Sequence, residues 1–188
     1  MKMYGIVVAG IYDESALKEL IIKCFKESFE ENIEVVSRRC GDDKLIKFPG
    51  FLESFKYEKE GSHVDKAIVI RDAHGKNPEE LKKKMLDKIS NRNYPFEVNI
   101  IVIVQELEAW LLADEEAISK ITQESITRLK EDIEAINDAK EKLQGILSKS
   151  KIVYTPSVAR DIARESNLDK IKSRCPTFRE FYQAVKDC

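Results

Sequence analysis

The chain predicts an α/β fold: a mostly parallel sheet with helices on both faces, followed by a C-terminal helical extension. Two observations carry this. Short apolar runs bounded by charged residues recur at intervals filled by helical-period segments, and this alternation is the pattern of parallel strands joined by crossover helices. Beyond about residue 114 the strand-like runs stop and only helical patterning continues. The predicted division is therefore an α/β core over residues 1–114 and a helical extension packed on it over residues 115–188.

The first strand is "MYGIVVAG" (3–10), whose shortness and β-branched residues fit a strand buried on both faces. A helix follows, with Leu17, Leu20, Ile21, Cys24 and Phe25 at helical spacing and Asp13 as its expected N-cap. "IEVVSRR" (33–39) reads as the second strand. Gly41 then punctuates the chain, a short helix is expected up to Pro49, and a further helical turn near Phe51–Tyr57. "DKAIVIRD" (65–72) is the third strand. Asn77 and Pro78 form a strong start signal for the helix that follows. "FEVNIIVIVQ" (96–105) is the fourth strand, and "ELEAWLLAD" (106–114) has helical character.

In the second half, Ile126, Leu129, Ile133, Ile136, Leu143 and Leu147 follow a seven-residue pattern that Lys140 interrupts. The stripe reads either as a helix packed on its neighbours or as a dimerising seam between two copies, and "NDAK" (137–140) is a place where it would break in two. "SVARDIARESNLDKIKSRCPTFREFYQAV" closes the chain with two or three short helices.

The hydrophobic fraction is 43%, enough for a sizeable core, and 35% of residues are charged. Lys+Arg at 32 and Asp+Glu at 34 nearly cancel, so a net charge of −2 creates no long-range field favouring DNA, RNA or an anionic membrane. Nucleic-acid binding would need a local basic patch. Cys24, Cys40, Cys175 and Cys188 form no CxxC pair, which argues against a structural zinc site and for reduced thiols in a cytoplasmic protein. The N-terminal apolar run is too short for a signal peptide, and no run approaches a membrane-spanning length.

Ligands of open parallel sheets bind at the carboxyl ends of the strands. There the first strand delivers Tyr12, Asp13 and Glu14, the third Arg71, Asp72, His74 and Lys76, and the fourth Gln105, Glu106 and Glu108. Acids converging from three places suit Mg²⁺ or Mn²⁺, and His74 tilts the preference toward Mn²⁺ or another first-row metal. Each residue has a plainer role available: Asp13 as a cap, Glu14 as a helix-dipole partner, His74 as a turn residue. Glu106 and Glu108 lie two apart, so on a helix at most one would face the site. Asp72 is the strongest candidate, because a carboxylate directly after an apolar strand is costly unless it serves a site or a turn. Trp110 reads as a core residue rather than a base-stacking one.

These motifs resemble the Toprim-like proteins, specifically an uncharacterised prokaryotic group among them related to overcoming-lysogenisation-defect nucleases and to the Toprim domains of primases and topoisomerases. The first strand gives "VVAGIYDESAL" and the third "VIRDAHG". "QELEAWLLAD" (105–114), "GDDKLIKF" (41–48) and the ending with its Cys-Pro-x-Phe-x-x-Phe motif are similar to segments of that group. The resemblance covers most of the chain. It implies a Toprim-like α/β fold and acids that bind Mg²⁺ or Mn²⁺ for phosphodiester chemistry: Asp72, His74, Glu106 and Glu108 as metal-binding and catalytic residues, with Asp13, Glu14, Arg71 and Lys76 around them. Ala9 stands where the pattern has its first-strand glutamate, and His74 where it has the second aspartate of Asp-x-Asp. The expectation is thus a weakened or degenerate metal-dependent nucleic-acid phosphodiesterase or nuclease site, in a setting such as prokaryotic defence. The alternative is a non-catalytic nucleic-acid- or protein-binding module of the same fold. A small-molecule phosphate site at "GIYDES" is disfavoured, since Asp13 and Glu14 would repel the anion.

Overall fold

The computed structural model describes residues 1–41, 47–59 and 61–187. Four strands, β1 (Lys2–Val8), β2 (Ile33–Arg39), β3 (Lys66–Asp72) and β4 (Glu97–Ile103), form one all-parallel sheet in the order β2-β1-β3-β4. The side chains alternate between two cores, as period-2 strands buried on both faces require. Tyr4, Ile6, Val8, Ile68, Ile70, Ile101 and Ile103 face the larger core. Val7, Ala67, Val69, Ile100 and Val102 face the smaller one.

The smaller core is closed by α2 (Phe48–Ser54) and α3 (Pro78–Ile89). Asn77 caps α3 by accepting from the Glu79 and Glu80 backbone N–H groups at 3.0 and 3.2 Å, as its sequence signal predicts. Pro49 lies in the first turn of α2 and opens that helix rather than closing one. The helix expected ahead of it and most of "GDDKLIKF" fall on residues 42–46, outside the described residues. Cys188 also lies outside them. Gly5 on β1 is required by close approach: a Cβ there would stand 2.7–2.9 Å from the Phe55 ring.

The larger core is covered by α1 (Ile11–Lys26) and by helices of the second half: α4 (Glu108–Leu112), α5 (Glu115–Thr122), α6 (Ala139–Lys149), α7 (Pro156–Glu165), α8 (Leu168–Arg174) and α9 (Pro176–Lys186). Helix α7 packs along α1, and α9 reaches both α1 and β4. The second half thus shares one core with the first. The expected continuous helix over 126–147 does not form: residues 124–132 are irregular, a single 3₁₀ turn spans Ile133–Ala135, and α6 begins only after Asp138. Ile133, Leu143 and Leu147 are buried, while Ile126, Leu129 and Ile136 pack partly buried against the same core. The stripe therefore packs against this core in separate segments rather than along one continuous helix.

The two most distinctive segments of the sequence meet inside this core. Trp110 is fully buried, with its ring centroid 5.0 Å from Phe178 and 5.2 Å from Phe181. Its indole N–H donates to Thr177 Oγ1 at 3.0 Å and lies 3.3 Å from Glu134 Oε1. Glu134, also buried, accepts from the Thr177 backbone N–H at 3.1 Å and from the Thr177 hydroxyl. The core reading of Trp110 holds, and the indole finds the polar partners a buried tryptophan needs. Among the described residues, no helix is long and apolar enough to cross a membrane.

Candidate functional site

At the carboxyl edge of the sheet, a cavity of about 310 Å³ is lined by Gly10, Ile11, Tyr12, Asp13, Asp72, His74, Glu106, Glu108 and Lys140. The topology builds it. Strands β1, β3 and β4 are neighbours, with Asp72 in register with Ile103, so the loops leaving all three open over the same spot.

The β1–α1 connection turns at Gly10, which is the N-cap of α1. Asp13, expected as the cap, is instead the third helical residue; its Oδ2 reaches back and accepts from the Gly10 N–H at 2.9 Å. A glycine cap has no side chain to satisfy the first helical donors, and the acid one turn in ties down the entering chain instead.

Asp72 ends β3. The residue is half-buried and lines the cavity. Burial, and then the negative potential of Asp13 and Glu108, hold its pKa well above the usual carboxylate range; a hydrogen bond from the Leu107 backbone N–H opposes the shift without cancelling it. After Asp72 the chain folds into a tight turn, with Ala73 N–H bonded to Ile103 O at 2.8 Å and His74 N–H to Gln105 O at 3.3 Å. His74 adopts a φ of 46° and Gly75 a φ of 76°. Left-handed backbone at a histidine is uncommon and aims the ring toward the cavity mouth, where Nδ1 lies 3.9 Å from Glu106 Oε1.

The β4–α4 loop supplies both glutamates. The expectation that at most one faces the site assumed that both lie on a helix. Helix α4 begins only at Glu108, Glu106 sits in the preceding loop, and both line the cavity. Glu106 Oε2 accepts from the Lys140 N–H at 2.8 Å, capping the first turn of α6 and bringing the Lys140 side chain to the cavity wall. Glu108 is buried and accepts from the Tyr154 hydroxyl at 3.1 Å. Burial pushes its pKa up to about 7, with Asp13 and Glu106 adding to the shift. The Tyr154 ring lies 5.1 Å from the Tyr12 ring at a tilt of 34°, and Lys140 Nζ lies 4.4 Å from the Tyr12 ring centroid.

The structure thus gathers Asp13, Asp72, His74, Glu106 and Glu108. Glu14 points elsewhere: it meets the Ser37 hydroxyl at 2.5 Å, Lys18 at 2.9 Å and Arg39 at 3.2 Å. Burial alone would raise its pKa, but these three partners outweigh burial and hold it low. Arg71, on β3, and Lys76, exposed in the turn with its N–H on Ala73 O at 3.0 Å, are not among the lining residues. Sequence reasoning missed Lys140, Tyr154 and the role of Tyr12. Lys140 had a signal: it is the charge that interrupts the 126–147 apolar stripe. Tyr154 had none, since it reaches the site only through the packing of the chain between α6 and α7. Among the described residues, no three His, Cys, Asp or Glu side chains are disposed to hold a metal ion as they stand.

The model of a family described as a domain of unknown function, DUF4276, matches residues 10–186. Among solved structures, the C-terminal region of the OLD protein of Xanthomonas campestris pv. campestris superposes with a TM-score of 0.50 at 16% identity, covering 98% of this chain and 94% of that one. At that identity the likeness is one of fold, and it extends over nearly the whole of both chains. No curated protein matches the chain.

Proposed function

We propose that this chain, which belongs to the DUF4276 family, carries in its acidic cavity a divalent-cation-dependent phosphodiester-cleaving site acting on nucleic acid, weakened relative to the Toprim pattern. The observation that supports this most is the convergence of Asp13, Asp72, Glu106 and Glu108 on one cavity at the carboxyl edge of a parallel sheet. Like-charged carboxyls held this close repel one another, and the raised pKa values of Asp72 and Glu108 express that cost together with burial. A cation relieves both. An all-oxygen donor set with a histidine at its mouth suits Mg²⁺ or Mn²⁺.

In this reading Asp72, Glu106 and Glu108 hold the cation, His74 stands beside Glu106, and Asp13 contributes charge while fixed by the Gly10 N–H. A bound cation of this kind offsets charge on a phosphoryl oxygen and lowers the pKa of water. The chain itself supplies the Lys140 ammonium, which faces the same cavity and would neutralise the phosphate charge that builds up as the bond breaks. Ala9 offers no carboxylate where the Toprim pattern places one, so turnover should be slower by about 10²–10⁴-fold than with a general base in place. The sequence resemblance to overcoming-lysogenisation-defect nucleases and the fold likeness to an OLD protein's C-terminal region point the same way. A setting in prokaryotic defence rests on the resemblance alone.

A second reading, a non-catalytic nucleic-acid- or protein-binding module, draws on the spacing of the donors, no three of which are poised around one point among the described residues. Calorimetric titration of Mn²⁺ and Mg²⁺ into the wild type and Asp72→Ala separates the two. Saturable binding that Asp72→Ala abolishes, with Mn²⁺-dependent cleavage of single- or double-stranded DNA, is the expected result. A wild type that binds neither ion leaves only the second reading.

A further inference from the structure

A second hollow, of about 480 Å³, adjoins the acidic cavity and shares Ile11 with it. Its wall differs in carrying three cations beside two acids. Lys18 and Arg39 line it from α1 and the end of β2, and Arg160 from α7, together with Ile11 and Ile22. Its two acids are already engaged: Glu14 by Ser37, Lys18 and Arg39, and Glu19 by Arg164 at 2.6 Å. Arg39 and Arg160 are about half exposed, and a guanidinium carries five N–H donors, so their ion pairs with Glu14 and Asp161 leave donors to spare. Ile11 is 46% exposed although it sits on the ridge between the two hollows.

We propose that this hollow takes the run of an unpaired nucleic-acid strand leaving the acidic cavity, with Lys18, Arg39 and Arg160 on its phosphates and Ile11 and Ile22 against its bases. The proposal rests on the phosphodiester reading of the cavity and names its substrate class. Two arguments select a single strand over a duplex. An unpaired strand offers both phosphates and base faces, which a wall that carries both cations and aliphatic side chains can use, whereas a duplex hides its bases in the stack. The hollow that carries the cations also begins where the acidic cavity ends, at Ile11, so Arg39 and Arg160 would hold the neighbouring phosphates while the cavity's acids are kept for the one being cleaved.

The test is fluorescence anisotropy on the full chain in EDTA, with a labelled oligothymidylate and a labelled hairpin duplex, over a range of salt. The wild type should bind the single strand more tightly than the duplex. Arg39→Glu/Arg160→Glu should weaken that binding by about tenfold or more and reduce the slope of log affinity against log salt by about 1 to 2. Ile11→Ala should weaken it a few-fold. Mn²⁺ binding measured by calorimetry should be unchanged in the arginine variants. If the double charge reversal lowers the melting temperature, Arg160→Gln alone carries the test, with about a threefold loss expected. Equal or tighter binding of the duplex, no binding of the single strand, or binding indifferent to these substitutions overturns the proposal. Metal is absent from the binding assay, so strand binding that persists in a protein inert toward Mn²⁺ would remove the catalytic reading and leave the strand groove standing.

Discussion

Tyr154 donates its hydroxyl to Glu108 Oε1 at 3.1 Å, and this hydrogen bond ties the chain between α6 and α7 to the acid loop after β4. Both groups are buried, so the bond has no ready replacement in water. Tyr154→Phe keeps the ring against Tyr12 and removes only the donor. It should cost about 1–3 kcal/mol, read as a lower urea midpoint with an unchanged slope.

The buried acids make stability depend on pH in a defined direction. Glu108 has an ordinary value of 4.5 and is pushed up to about 7 in the fold, and Asp72 is raised as well. Between those two values Glu108 binds more protons in the native state than in the unfolded chain, so its contribution is full below about pH 4.5 and is lost as pH rises through 7, and the raised Asp72 acts in the same sense. Glu108 alone should therefore take up to about 3 kcal/mol from the cation-free protein across that window, at about 1.4 kcal/mol for each tenfold change in proton affinity. Glu14, held low by its partners, acts in the opposite sense and costs stability only as pH falls below its ordinary value. Melts from pH 4.5 to 8 check the slope, and Glu108→Gln should flatten it.

Asp72→Asn should separate stability from cation binding. It removes a carboxyl that burial and Asp13 disfavour, so the cation-free protein should gain about 1 kcal/mol. The same variant should lose the rise in melting temperature that Mn²⁺ gives the wild type. Thermal scans with and without Mn²⁺ read both, and a variant still stabilised by Mn²⁺ would remove Asp72 from the site.

Trp110, Glu134 and Thr177 do not line the acidic cavity, and the hydrogen bonds among them should act on stability alone. Thr177→Val deletes the acceptor for the indole and a donor to buried Glu134. The expected loss is about 1–3 kcal/mol by urea unfolding, with Mn²⁺ affinity unchanged.

Gly5→Ala should cost about 1–3 kcal/mol through overpacking, because the added methyl meets the Phe55 ring at 2.7–2.9 Å. Combining it with Phe55→Leu should recover part of the loss, a coupling that a double-mutant cycle measures.

The amino-acid sequence by itself determined the strands, their parallel arrangement and the acidic character of the sheet's carboxyl edge. These depend on local patterning: Ile6, Val7 and Val8, or Ile68, Val69 and Ile70, read as strands buried on two faces in any context. Asp72 was visible for the same reason, as a charge that ends an apolar run. Tertiary structure alone decided the rest. Glu106 and Glu108 share a cavity because α4 starts later than the apolar pattern implied. Glu14 turns from the cavity because β2 sets Ser37 and Arg39 beside it. Lys140 and Tyr154 enter the site from far beyond the acids they touch, at sequence separations of 34 and 46. A heptad pattern around Lys140 could be read without knowing which face it served. Period reports that a side is buried, and only packing in three dimensions says against what.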